Sequence, residues 1–128
     1  MDRWIGKYSE TLYGVMRIIL GLLFACHGAY KLLGMFGGQG LPSSRLMLAA
    51  GVIELVGGIL IAIGLWAGSI AFIASGEMAV AYFKVHASGG FWPIVNKGEL
   101  AVIYCFIFLF IAAKGSGALS LDALRKKQ

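Results

Sequence analysis

Eight ionisable side chains interrupt the long apolar runs of this 128-residue chain: Arg17, His27, Lys31, Glu54, Glu77, Lys84, His86 and Glu99. A charge centred in hydrocarbon costs about 2.5–3.5 kcal/mol on insertion scales, so each needs a partner or a task. Imidazoles near carboxylates and ammonium groups can relay protons, hold a polar ring, or close into ion pairs. Lys31 lies four residues beyond His27, so the two share a helix face. The expectation is that His27, Lys31, Glu54 and His86 line one outward-opening polar cavity. Arg17, Glu77, Lys84 and Glu99 are structural ion-pair candidates, with Arg17 expected to meet Glu77 or Glu54. Two histidines without a local ligand spacing give no reason to expect a metal. Cys26 and Cys105 lie in apolar runs without a CxxC pair and read as packing residues.

The elements that position these groups follow from composition. The chain is 59% hydrophobic and 13% charged, with a mean hydropathy of +0.84. A soluble domain is about a quarter charged, and one this small could not hide so much apolar surface. This excludes a soluble enzyme, a disordered tail and an ordinary nucleic-acid module. A net charge of +5 points to no nucleic acid either, because the positives are spread along the chain. An integral membrane protein remains.

Runs of about 20 residues are needed to cross the hydrocarbon core. Spans are expected at about 12–33, 46–66, 69–86 and 99–114. A glycine-rich loop with Pro42 follows the first, and a tight turn at Trp66-Ala67-Gly68 divides the second from the third. A three-span parse centred on Leu55–Gly76 competes, and charge decides between them. Four spans place Arg3, Lys7, Lys114, Arg125, Lys126 and Lys127 on one side, against Lys31, Arg45, Lys84 and Lys97. The positive-inside rule then puts both termini in the cytoplasm. Trp4 and Trp66 mark the inner interface, with Phe91 and Trp92 at the outer one. The first span reads as a retained helix and not a cleaved leader, since Arg17 and His27 interrupt it and no A-x-A site follows. A short amphipathic tail capped by Ser120 closes the chain, read as a solubilising cytoplasmic end. The fold class is therefore all-α: a four-helix transmembrane bundle forming a single domain over 1–128.

Gly14, Gly21 and Gly28 recur every seven residues, a period that keeps them on one seam of a helix pair. Gly51 and Gly58, with Gly57 and Gly64, offer a matching surface on the second span. Arg17, Phe24 and Lys31 form a second series, which turns the charged face of the first span into the bundle. At 1.5 Å per residue, Arg17 falls in the inner half, Glu77 near mid-depth, and His27, Lys31, Lys84, His86 and Glu99 in the outer third. Two heptapeptides, Gly76–Tyr82 and Gly98–Tyr104, resemble one another and read as small-residue packing around a polar anchor.

The pattern Arg17-x-x-x-Gly21-x-x-Phe24-x-x-His27-Gly28-x-x-Lys31, followed by Glu54-Leu55-x-Gly57-Gly58 and Met78-x-x-Ala81-x-Phe83-x-x-His86, resembles the DoxX family of small bacterial membrane proteins. Phe91-Trp92-Pro93-x-x-Asn96-x-Gly98-Glu99 and Gly115-x-Gly117-x-x-Ser120-Leu121-Asp122 fit the same pattern, so the likeness covers about residues 9–122. It implies a multi-pass protein of the bacterial inner membrane, linked to quinone oxidoreductase systems and to defence against oxidants. It transfers no catalytic residues. The chain itself carries no flavin, haem or iron–sulfur signature, so electrons are expected from a soluble redox protein partner or a reduced substrate. The expected bound molecule is a quinone-type or small redox substrate, with the cofactor left unknown, the lipid bilayer as surroundings and a homo-oligomer open. Whether the chain is itself an enzyme stays undecided by sequence. The alternatives are a membrane anchor for a soluble redox protein and a small proton-coupled transporter subunit.

Overall fold

A computed structural model describes residues 2–127, whose regular elements are all helical, with no strand among them. A short α1 (Asp2–Gly6) precedes α2 (Ser9–Leu33). α3 covers Arg45–Ile63, with a π-helical turn at Ile53–Gly57 inside it. α4 (Ala67–Ala81) runs directly into a second π turn, Tyr82–His86. A short α5 (Pro93–Asn96) leads to α6 (Glu99–Lys114), and α7 (Leu121–Lys126) ends the fold. Of these helices, α2 and α3 are long and apolar enough to cross a membrane.

The helices pack as two close pairs, α2 with α3 and α4 with α6. Small residues explain the first pair. A Cβ on Gly21 would stand 2.5 Å from the Ala62 nitrogen and 2.7 Å from the Gly58 oxygen. The two backbones therefore touch, as small-residue seams allow in lipid. Gly28 abuts Leu55 in the same way, but Gly14 does not meet α3. It faces the backbone of Ala118, beyond α6.

The two pairs meet over larger side chains. Phe24 lies with its ring centroid 4.7 Å from Phe108, and Tyr104 stacks on Phe108 at 5.3 Å. The outer faces are apolar on every long helix: Ile19 and Leu22, Val56 and Ile59, Phe72 and Ile73, Phe106 and Phe110 are all exposed. Patches of that extent belong against lipid or a partner, not water.

α3 ends at Gly64, whose φ of 74° is the left-handed conformation that glycine adopts without strain. The Leu65 N–H reaches the Leu60 carbonyl and the Gly64 N–H reaches Ile61, a Schellman cap. The turn is thus Gly64–Leu65–Trp66. Ala67 and Gly68, expected in the turn, already belong to α4, because the cap needs its glycine directly after the last helical residue.

α7 is not a loose solubilising end. Ser120 caps it by accepting from the Ala123 N–H at 3.1 Å. The Asp122 N–H donates to the Gly64 carbonyl at 3.0 Å. Asp122 Oδ2 accepts from the Trp66 N–H at 2.8 Å and from the Ser116 hydroxyl at 2.6 Å. The tail therefore clasps the α3–α4 turn. At the same end the start of α2 meets the end of α6, through a Lys114–Glu10 ion pair of 2.8 Å and a Tyr13 hydroxyl bond to the Gly115 carbonyl.

Candidate functional site

Lys31, in the last turns of α2, and Glu54, in the π turn of α3, form the most buried ion pair described. Lys31 Nζ lies 2.6 Å from Glu54 Oε1, with the glutamate side chain only 2% exposed. A π turn inserts one residue into the helical register and is often found at functional sites. Both π turns carry groups of this region: Glu54 in the first, Lys84 and His86 in the second.

A cavity of about 270 Å³ opens beside the ion pair. His27 and Lys31 reach it from α2, Glu54 from α3, Met78 and His86 from α4 and its π turn, and Lys97, Ala101 and Tyr104 from the α6 side. Phe24 and Tyr104 supply its aromatic wall, and the His27 ring stands edge-on to Tyr104 at 6.0 Å. His27 is exposed and His86 half-buried. A second cavity of about 470 Å³ lies between α3 and α4, walled mainly by Leu46, Met47, Ile53, Ile73 and Val80. It shares Lys31, Ala81 and His86 with the first and adds Glu77 and Lys84.

The second π turn is held by the segment before α6. Asn96 Nδ2 donates to the Gly90 carbonyl at 2.8 Å and to the Tyr82 hydroxyl at 3.1 Å, while Tyr82 itself donates to the Phe91 carbonyl. His86 Nδ1 lies 3.3 Å from the Asn96 carbonyl. A carbonyl only accepts, so this contact places the ring proton on Nδ1 and leaves Nε2 of the neutral ring as an acceptor. Gly98 must lack a side chain here, because a Cβ would stand 2.9 Å from the His86 Cβ.

The DoxX family model matches residues 13–87, a stretch that contains His27, Lys31, Glu54 and His86. The chain belongs to the DoxX family. An uncharacterized Haemophilus influenzae protein is 43% identical over 123 residues, 91% of this chain and 92% of its own length. A Bacillus subtilis protein named "Putative oxidoreductase CatD" is 30% identical over 114 residues, 84% of this chain and 82% of its own. No solved structure matches.

In this DoxX protein, a membrane protein by family, Arg17 corrects the ion-pair expectation. Its guanidinium is fully buried, yet it meets no carboxylate. It donates to the carbonyls of Ile61 at 2.9 Å, Ala118 at 2.8 Å and Leu119 at 2.6 Å, to Ser116, and more weakly to Ala62 at 3.4 Å. The reason is positional: the end of α3 and the loop after α6 present their carbonyls beside it, whereas Glu54 lies about two turns back along α3 and is taken by Lys31. Glu77 and the exposed Glu99 have no cation within ion-pair distance, and the exposed Lys84 has no carboxylate, among the described residues. Sequence reasoning missed Lys97, Tyr104 and Asn96. Lys97 was readable as a cation just before α6, but the Asn96 seat for His86 has no spacing signature.

Proposed function

We propose that the protein crosses the bacterial inner membrane four times with both termini cytoplasmic. We further propose that it serves a membrane oxidoreductase system by binding a quinone-type ring in the smaller cavity. One observation carries this reading: two imidazoles, two lysines and a carboxylate from four helix regions converge on one small cavity, and a more apolar cavity adjoins it. A redox ring with oxygens needs donors when those are carbonyls and acceptors when they are hydroxyls. Lys31 and Lys97 donate, and His86 Nε2 accepts. The faces of Phe24 and Tyr104 suit a flat ring, and the adjoining cavity gives room for an apolar substituent. Electrons come from a soluble redox partner or from the reduced substrate itself. The name of the Bacillus subtilis relative supports an oxidoreductase association.

Support for four crossings comes from the shared end of α2 and α6 and from the six positives gathered there. The exposed Trp66 lies at that end of the bundle and Phe91 with Trp92 in the opposite loop, as interfacial belts do.

Purification in mild lipid followed by mass spectrometry tests the binding. Quinone is expected with the native protein, and His27→Ala and His86→Ala should each bind it roughly tenfold more weakly while remaining folded, about 1.4 kcal/mol per site. A stoichiometric soluble protein with no quinone would replace this reading with the anchor.

A further inference from the structure

Glu77 and Glu54 stand on opposite sides of the partition between the two cavities. Glu54 lines only the smaller one and Glu77 only the larger. The π turn that carries Glu54 packs against α4, which carries Glu77, and Lys31, bonded to Glu54, lines the cavity of Glu77 as well. Yet Oε2 of Glu54 and Oε2 of Glu77 are both buried without a hydrogen-bond partner. Two ionised carboxylates are acceptors only, so nothing between them can donate.

We propose that Glu54 and Glu77 hold one proton between them and that this acid–carboxylate pair is a proton-binding site joining the two cavities. It goes beyond the quinone reading and does not depend on what occupies the chamber. With both carboxyls ionised, the group of Lys31, Glu54 and Glu77 carries a net negative charge and two buried orphan oxygens, an arrangement native interiors avoid. One added proton neutralises the group and turns an acceptor–acceptor contact into an O–H···O bond that satisfies both atoms. Adjacent buried carboxyls characteristically share a proton in this way.

The other ionisable groups around the pair do not supply that donor. Lys31, from α2, bonds Glu54 Oε1 at 2.6 Å and reaches neither Oε2 atom. His27 reaches only the smaller cavity, and Lys97 and Tyr104 face it from the α6 side. Lys84 and His86, from the second π turn, line the larger cavity but make no bond to Glu77. The proton sits between the two carboxyls and leaves to whichever cavity holds an acceptor. No electron moves in this step.

Infrared spectroscopy of the glutamate-labelled protein in lipid, titrated with pH and without added quinone, tests it directly. One carboxylic-acid C=O band is expected, shifted by exchange into D₂O and lost in alkali. Glu77→Gln should abolish the band while keeping the fold, since its amide donates to Glu54 in place of the proton. Glu77→Asp should keep an acid band but shift its frequency, because one partner of the pair is now unlabelled. Absence of any acid band in the native protein, or a band undiminished in the Glu54→Gln/Glu77→Gln double variant, overturns the proposal. Because the band belongs to the carboxyl pair and not to a bound ring, neither result bears on the ring-binding reading.

Discussion

Arg17 is a buried cation whose charge is spread over carbonyl dipoles, with Asp122 the carboxylate nearest in effect: the Ser116 carbonyl accepts from Arg17 while the Ser116 hydroxyl donates to Asp122. Removing the guanidinium orphans several carbonyls at once, at about 1–3 kcal/mol for each that water cannot reach. Arg17→Leu should therefore lower the thermal midpoint in detergent markedly. Arg17→Lys should fall between, because three rotatable donors cannot span a fork of five acceptors. Adding Glu54→Gln should give no recovery, and recovery would restore an ion pair to the account. The sequence made the inward direction of Arg17 legible, through its seven-residue series with Phe24 and Lys31. Its partners were not, because backbone carbonyls exposed at a helix end have no side-chain signature.

At the level of elements, the helices themselves were readable from apolar runs and glycine breaks, and the glycine seam between α2 and α3 follows from spacing alone. The π turns were not. A single inserted residue leaves composition and hydropathy unchanged, yet it decides which way Glu54 and His86 point. The docking of α7 was equally hidden, although its Ser120 cap and acidic first turn were plain. That docking has a pH dependence with a definite sign. The Ser116 hydroxyl, outweighing partial burial and aided by the Trp66 N–H and by Arg125 and Lys126, holds the Asp122 carboxyl below the usual carboxylate range. The docked form thus binds the proton more weakly than the free tail. Its contribution is complete above about pH 4, the ordinary aspartate value, and is lost as pH falls through the lower docked value. In a Trp4→Phe/Trp92→Phe background, the fluorescence of Trp66, which lies under Arg125 at 5.8 Å, should stay constant down to that range and change only in stronger acid. Asp122→Asn should show the undocked signal at neutral pH, and an unchanged signal there would remove the clasp.

For the whole molecule, composition alone carried the step from soluble to membrane-embedded, since no arrangement of so few charges could cover the apolar faces seen on every long helix. The pairing of the helices, and the two cavities left between the pairs, depend on side-chain shape and are not written in hydropathy. The proposed topology is a property of the chain as a whole. Reporter fusions after Lys7, Gly38, Gly68, Gly90 and the C-terminus should read inside, outside, inside, outside, inside. An outward C-terminus would leave an odd number of crossings and contradict the proposal.

The acceptors of Arg17 lie between 44 and 102 residues further along the chain. During synthesis the first long helix therefore emerges with a cation that nothing yet made can satisfy. Its guanidinium must keep water or headgroups until α3 has closed at Gly64, and it reaches its final bonds only once Leu119 has left the ribosome. The first long helix is thus locked by the latest loop, and a chain stopped before residue 116 would leave its arginine with only the Ile61 and Ala62 carbonyls.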